Sequence, residues 1–491
     1  MALWTSLEIK KVTGGVGSGE WAVDGISIDS RTLQKGDLFV ALTDKRDGHA
    51  FLDKAFENGA AAALVSHIPE RLTGDSRLIL VADVLKALKE LAFAARDRFS
   101  GKLIAVTGSV GKTSTKEMLS IALTSQGIVH SSDKSFNNHW GVPLTLARMP
   151  KNTEFAIIEM GMNQKGEIRA HSLLARPHVA LITEVKRVHM SNFRKLEEIA
   201  LAKSEIFSGL EAGGLALVNS DIEHISTIES SLKGLPVTLQ KFGMNGPDWV
   251  LDQLNIKNHS LEVKVIQGSR KFKFELNSLG QHFASNGLAA VATVSLIGAD
   301  KNIAIKQLRN WLPMEGRGQH IEVNINKGSS AYYFDLIDDS YNSNPTSLRA
   351  GFKLLDSLWI SKKVLNQDKG RKIAILGDML ELGPDEITIH RSIASWDEIR
   401  GIKKFYLVGE LMKSLFEALP SDGNKFWFSS SDELNKIIAE EISMADVILV
   451  KGSKSSNMGK VVSKLKSIND SSNYIGVKEE LVNVLSTYLS F

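Results

Sequence analysis

Short apolar runs alternate with polar turns over the first hundred residues. Asp37-Leu38-Phe39-Val40-Ala41-Leu42 reads as a strand, Phe51 to Ala60 as an amphipathic helix, and Ala61-Ala62-Ala63-Leu64-Val65 as another strand. This predicts a small α/β unit ending near Phe99-Ser100-Gly101. The run Leu103-Ile104-Ala105-Val106 opens a second unit, followed by a Gly-rich turn and a helix-compatible stretch from Ser114 to Ser125. Strand-like runs recur at Phe155–Ile158, Val179–Ile182 and Leu215–Val218 with helical patterns between them, which predicts βαβ units and a mainly parallel sheet. A helical run from Ser285 to Leu296 closes this unit. Pro313-Met314-Glu315-Gly316-Arg317-Gly318 reads as a hinge, because Pro and clustered Gly punctuate regular structure. Beyond it, Tyr332–Ile337, Ile373–Leu376, Phe405–Val408 and Val447–Val450 alternate with helical segments, which predicts a third α/β domain of open-sheet type. There is no repeat at solenoid spacing and no low-complexity tract beyond Ser429-Ser430-Ser431.

Composition narrows this picture. A length of 491 residues suits about three domains. Lys and Arg number 59 and Asp and Glu 56, a net charge of +3 that argues against a dedicated polyanion binder and so against a nucleic-acid partner. Small anions remain candidates, since a few placed cations and helix ends suffice for them. The chain has no Cys, which removes disulfides, thiolate metal sites and Cys nucleophiles. Glu8 interrupts the stretch where a signal peptide needs an apolar run, and runs such as Ala60–Val65 fall far short of the ~20 residues that span a bilayer. A cytoplasmic protein without a membrane span is the resulting expectation.

The strongest chemical signal is Thr107-Gly108-Ser109-Val110-Gly111-Lys112-Thr113, between a strand and a helix. Backbone N–H groups of such a turn can cradle phosphate oxygens, Lys112 would neutralise phosphate charge, and the Thr113 hydroxyl would ligate Mg²⁺. Val106 stands where the standard phosphate loop carries its first Gly. Phe155-Ala156-Ile157-Ile158-Glu159 places a carboxylate at a strand end, beside the phosphates if the sheet is parallel. Read alone, such a Glu faces solvent more often than metal. His189 and Lys203 attract no attention on their own, because a lone His and a helical Lys are usually structural or solvated.

Taken together, several stretches resemble the Mur ligase family. They are Gly108–Thr113, Ser135-Phe136-Asn137-Asn138-His139-Trp140-Gly141-Val142-Pro143, Glu159-Met160-Gly161, His189, Ala202–Phe207 and Gly316-Arg317-Gly318. Within the family, Asp338–Pro345, Leu376–Gly383 and Lys451-Gly452-Ser453-Lys454 point to the members that add D-Ala-D-Ala to a UDP-N-acetylmuramoyl tripeptide. Asp29-Ser30-Arg31 and Asp47-Gly48-His49-Ala50-Phe51 are shared with the members that add the third residue. Those typically carry Asp-Asn-Pro-Arg, which does not occur here.

The resemblance implies three α/β domains. They are a UDP-substrate-binding N-terminal domain over 1–100, a central P-loop-type ATP-binding domain with a mainly parallel sheet over 101–313, and a Rossmann-like C-terminal domain over 314–491. It implies ATP and two Mg²⁺ ions as cofactors, an acyl-phosphate intermediate, and cytoplasmic peptidoglycan precursor synthesis by a monomer. Gly108, Ser109, Val110, Gly111, Lys112, Thr113 and Ser114 would hold ATP, with Asn286 on the adenine side, Arg317 at the phosphates and Asp339 at the ribose. Thr113, Glu159, His189 and a carbamylated Lys203 would hold the metal, so Lys112, Lys203, His189 and Glu159 form the implied catalytic set. Ser30, Arg31, Asp47 and His49 would meet the UDP-sugar, Asn137 and Asn138 the phosphate and substrate region, and Tyr341 and Asn344 the incoming dipeptide.

Three places depart from the family pattern. Thr183-Glu184-Val185-Lys186-Arg187-Val188 precedes His189 where Asn-rich stretches are usual, Phe283 stands for an Asn at the adenine, and Lys454 for an Arg. Two rivals follow: a ligase of the same family that adds the third, diamino-acid residue, and a catalytically silent nucleotide-binding relative.

Overall fold

The computed structural model describes residues 2–133, 135–187, 192–257, 260–327, 330–364 and 370–470. They fall into two compact units that divide between Leu312 and Pro313, at the start of the stretch read as a hinge; Glu381–Gly383 group with the first unit.

In the first unit a small four-stranded parallel sheet runs Gly25–Ser27, Asp37–Val40, Ala62–Val65, Leu78–Leu80. The helix expected over Phe51–Ala60 is shorter, a 3-10 turn over Gly48–Phe51 followed by Leu52–Glu57. It stops before Gly59, whose φ of +95° suits only glycine at low cost. The helix Val84–Asp97, capped by Asp83 accepting from the Lys86 N–H, buries Val84, Leu88, Leu91 and Ala95 along one face. It leads directly into the second sheet.

That sheet has nine strands, in the order Arg270–Leu276, Ser260–Gln267, Trp249–Lys257, Thr238–Gly243, Leu215–Asn219, Val179–Ile182, Lys102–Thr107, Phe155–Glu159, Val129–Ser131. Neighbours from Trp249–Lys257 onward pair in parallel, as the βαβ pattern predicts. The last two pairings on the other side are antiparallel, an extension that the sequence reading did not anticipate. Side chains of Lys102–Thr107 alternate between two cores. Leu103 and Ala105 join a core shared with Ile26, Leu38 and Leu64 of the small sheet, so the two sheets are held as one body. Ile104 and Val106 face Leu288 and Val291 of the helix His282–Leu296.

The second unit holds a six-stranded sheet in the order Gln319–Lys327, Ser330–Asp339, Val447–Lys451, Lys372–Gly377, Ile402–Val408, Lys425–Phe428. The first pair is antiparallel and the rest parallel. The four expected strands are present. Gln319–Lys327 and Lys425–Phe428 are additions, one at each edge. Among the described residues no helix is long and apolar enough to cross a membrane.

Candidate active site

In an open parallel sheet, ligands bind beyond the carboxyl ends of the strands. Here Lys102–Thr107 lies between Phe155–Glu159 and Val179–Ile182, so the phosphate-type loop, Glu159 and Thr183 share one edge. The loop admits no side chain at two points. A Cβ on Gly108 would stand 2.0 Å from Thr183 Oγ1, and one on Gly111 2.5 Å from Asn286 Oδ1. Gly111 also has φ +84°, a left-handed conformation that costs other residues roughly 1–2 kcal/mol. It starts the helix Lys112–Thr124, which has no side-chain cap. The first N–H groups of that helix therefore point at the place where an anion would sit.

Lys112 Nζ donates to Gly108 O at 2.6 Å, arching over the loop, and Thr113 is buried at the first turn. Ser114 is half-buried beside it. The stretch that departs from the family pattern braces this loop. Ser109 N–H donates to Glu184 O at 2.7 Å, Ser109 Oγ donates to Lys186 O at 3.0 Å and accepts from Lys186 N–H at 2.9 Å, and Thr183 Oγ1 donates to Val110 O at 2.7 Å. The Glu184 carboxyl is pushed up by burial, with Lys186 3.5 Å away opposing the shift. Thr183 was missed as a functional candidate; a hydroxyl directly following an apolar strand beside the loop is its only sequence signal.

Glu159 is fully buried. Its backbone N–H donates to Ser132 Oγ at 3.1 Å and its Oε1 accepts from Asn137 Nδ2 at 2.7 Å, but its Oε2 has no hydrogen-bond partner among the described residues. A buried carboxylate oxygen left unsatisfied is costly unless something positive meets it, and a hard divalent cation suits it. Lys203, on the helix Leu196–Ser204, is 2% exposed. Burial and then the Lys112 charge hold its amine well below the ordinary lysine value. A neutral, buried amine is the form that can react with CO₂. Thr113, Glu159 and a carbamate on Lys203 would supply oxygen donors, so these residues fit Mg²⁺. His189 lies outside the described residues.

Asn138 turns inward on its own loop, accepting from Gly141 N–H at 2.9 Å. Asn286 is buried against Gly111. Phe283 is a core residue, 2% exposed and edge-on to Trp311 at 4.8 Å, so its presence reflects packing.

In the small sheet's loops, Ser30 is buried and its carbonyl accepts from Asn58 Nδ2 at 2.7 Å. The Arg31 side chain is 84% exposed and forked onto Asp29 at 2.9 and 2.6 Å. Asp47 Oδ1 accepts from the N–H and the Nδ1 of His49, whose Nε2 accepts from Ser66 N–H at 2.9 Å. Asp47, His49 and His67 bring ligand atoms within 4.8 Å of one another. With both nitrogens of His49 committed, that cluster is a hydrogen-bonded loop support.

In the second unit, Asp339 pairs with buried Lys451 at 2.7 Å, and burial raises its carboxyl against that pull. The Arg317 guanidinium lies 4.1 Å over the Tyr341 ring. Asn344 and Ser347 exchange side-chain to backbone bonds at 2.9 and 3.0 Å, capping the helix Pro345–Val364. Asp338, not singled out from sequence, accepts from Gly316 N–H at 3.0 Å and Ser340 Oγ at 2.6 Å and so shapes the turn bearing Arg317.

Residues 22–96, 106–294 and 326–454 match the families described as Mur ligase family, catalytic domain, Mur ligase middle domain, and Mur ligase, glutamate ligase domain. A UDP-N-acetylmuramoyl-tripeptide–D-alanyl-D-alanine ligase of Rickettsia prowazekii is 31% identical over 462 residues, 94% of this chain and 99% of that one. Its counterpart from Bacillus subtilis is 32% identical over 90% of this chain and 93% of its own. A crystal structure of MurF from Acinetobacter baumannii superposes with a TM-score of 0.79 at 27% identity, over 94% of this chain and 99% of that chain. The phosphate-type loop, the buried Glu159 and the end-to-end similarity agree: this chain is a member of the Mur ligase family, the ATP-dependent ligases that form amide bonds.

Proposed function

We propose that this chain joins D-Ala-D-Ala to UDP-N-acetylmuramoyl tripeptide with cleavage of ATP to ADP and phosphate, in cytoplasmic peptidoglycan precursor synthesis. The observation that carries this reading is the identity of 31% over 94% of the chain and 99% of a relative that bears that activity in its name. The site geometry supports the chemistry.

A carboxylate resists amine attack because its leaving group would be oxide. One oxygen of the tripeptide's terminal carboxylate attacks the γ-phosphorus of ATP, and the bond to ADP breaks. The amine of D-Ala-D-Ala then attacks the acyl carbon, loses a proton, and the carbon–oxygen bond to phosphate breaks. Both steps place negative charge on phosphoryl or acyl oxygens, which preorganised donors stabilise. The N–H groups of Val110, Gly111 and Lys112 and the Lys112 ammonium would do this, with Ser109, Thr113 and Ser114 in the same turn. Thr113, Glu159, His189 and carbamylated Lys203 would hold Mg²⁺, two ions in all, which supplies charge neutralisation when bound. Asn137 fixes the Glu159 carboxylate, with Asn138 shaping the same loop. Asn286 supports Gly111 on the adenine side.

We assign the UDP-sugar to segment 1–100 through Ser30, Arg31, Asp47 and His49, and ATP to 101–313. Segment 314–491 supplies Arg317 and Asp339 to the nucleotide and Tyr341 and Asn344 to the dipeptide. The chain is taken to act as a monomer. The test is phosphate release, which should require ATP, Mg²⁺, UDP-tripeptide and D-Ala-D-Ala together and should vanish in Lys112→Ala and Lys203→Ala. Near-normal turnover in both variants would contradict the assignment.

A further inference from the structure

We propose that Arg148 is a positioning residue for the reaction assigned above, on which this inference rests. It fastens the strand that leads into Asp29-Ser30-Arg31 to the loop that holds Glu159. Arg148 follows the helix Gly141–Ala147 and is one-fifth exposed. Its Nε donates to Ile26 O at 2.5 Å, within the strand Gly25–Ser27, three residues before Asp29. Its Nη1 donates to Asp133 Oδ2 at 2.9 Å, and its guanidinium lies 5.8 Å from the Phe136 ring. Phe136 N–H donates to Asp133 O at 3.0 Å, and the next residue, Asn137, holds Glu159 from its side chain and Gly161 N–H from its carbonyl. A continuous series of hydrogen bonds and covalent steps therefore runs from Ile26 to the Glu159 carboxylate.

The charge on Arg148 is matched from both sides. Burial lowers its pKa, while Asp133 of the loop and Asp37 of the small sheet oppose that shift. Two donors aimed at two segments require the planar fork of Arg, which the single ammonium of Lys cannot reproduce. Attachment of this helix end to the N-terminal layer does not depend on Arg148. Trp4 Nε1 donates to Ala147 O at 2.9 Å and Arg98 Nη2 to Met149 O at 3.2 Å. Neither of these reaches the loop of Asp133–Asn138, whereas Arg148 does. Its predicted effect is thus on communication between the UDP-substrate and the metal site.

The test is calorimetric binding of UDP-N-acetylmuramoyl tripeptide to the full chain, with and without Mg²⁺ and a non-hydrolysable ATP analogue, alongside thermal unfolding. The ratio of the two dissociation constants measures coupling, and linkage makes it reciprocal. In the unaltered chain the ratio should be about fivefold or more, the usual lower range for coupled sites. In Arg148→Lys it should fall toward one, and Asp133→Asn should give part of the same loss with no further loss in the double variant. Arg98→Lys should lower the unfolding temperature and keep the ratio. A ratio of one in the unaltered chain, or an unchanged ratio in Arg148→Lys, overturns the proposal. Should Arg148→Lys not fold, Asp133→Asn at its exposed acid decides the matter by the same ratio. Absence of dipeptide-dependent phosphate release in the unaltered chain would instead overturn the functional reading, and the inference with it.

Discussion

Asn137 donates its side-chain N–H to Oε1 of Glu159 at 2.7 Å, while Oε2 of the same fully buried carboxylate has no partner among the described residues. One oxygen is thereby fixed and the other is presented. Groups that orient a metal ligand typically cost 10- to 100-fold in metal affinity or activity when lost, by the usual order of magnitude. Asn137→Ala should accordingly raise the Mg²⁺ concentration for half-maximal phosphate release about 10-fold or more. An unchanged Mg²⁺ midpoint would show that Glu159 does not meet the metal.

Gly111 is constrained twice, by φ +84° and by Asn286 Oδ1 2.5 Å from a Cβ position. Gly111→Ala should raise the KM for ATP about 10-fold or more and cost roughly 1–2 kcal/mol of stability from backbone strain. Adding Asn286→Ala removes the contact and leaves the strain, so the double variant should recover only part of the loss. Steady-state kinetics with denaturant unfolding separates the two contributions.

The phosphate-type loop was legible because its chemistry is local: consecutive residues make both the turn and the open helix end. The parallel sheet was legible for a similar reason, since fully buried strands such as Ile104–Val106 and Val179–Ile182 read as unbroken apolar runs. The antiparallel extension carries the opposite signature. Leu261, Val263 and Val265 are buried between Glu262 and Lys264, a period-two pattern easily passed over beside stronger signals. Lys203 could not be ranked from the chain alone, because nothing near it in sequence shows that Lys112 lies close. Arg148 and Ile26 are 122 residues apart, and no local pattern announces a contact of that span.

Arg31 separates function from folding. Its side chain is 84% exposed, and its pairing with Asp29 is a surface one that adds little to stability. Arg31→Ala should leave the unfolding temperature nearly unchanged while raising the KM for the UDP-tripeptide several-fold, with the KM for ATP unaltered. A large stability loss with unchanged KM would reverse that assignment.

His171 gives the fold a defined pH dependence. Burial pulls its pKa from 6.5 to about 4, so the folded state favours the neutral ring. Above pH 6.5 neither state binds this proton and the residue is silent. As pH falls from 6.5 toward about 4, the unfolded chain takes up the proton first and stability drops, by about 3 kcal/mol in all for this group. Below that window its contribution is constant. Urea unfolding at pH 7 and pH 4.5 should show a smaller loss in His171→Gln than in the unaltered chain. Equal losses would place the acid sensitivity elsewhere.

The most direct test of the account is mass spectrometry of the product formed from UDP-N-acetylmuramoyl tripeptide, ATP and Mg²⁺, with D-Ala-D-Ala and a free diamino acid offered in separate reactions. A product heavier by one D-Ala-D-Ala less water, with ADP and phosphate released in equal amounts and no product from the diamino acid, is the result expected. Addition of the diamino acid instead, or ATP binding with no product from either amine, would contradict it.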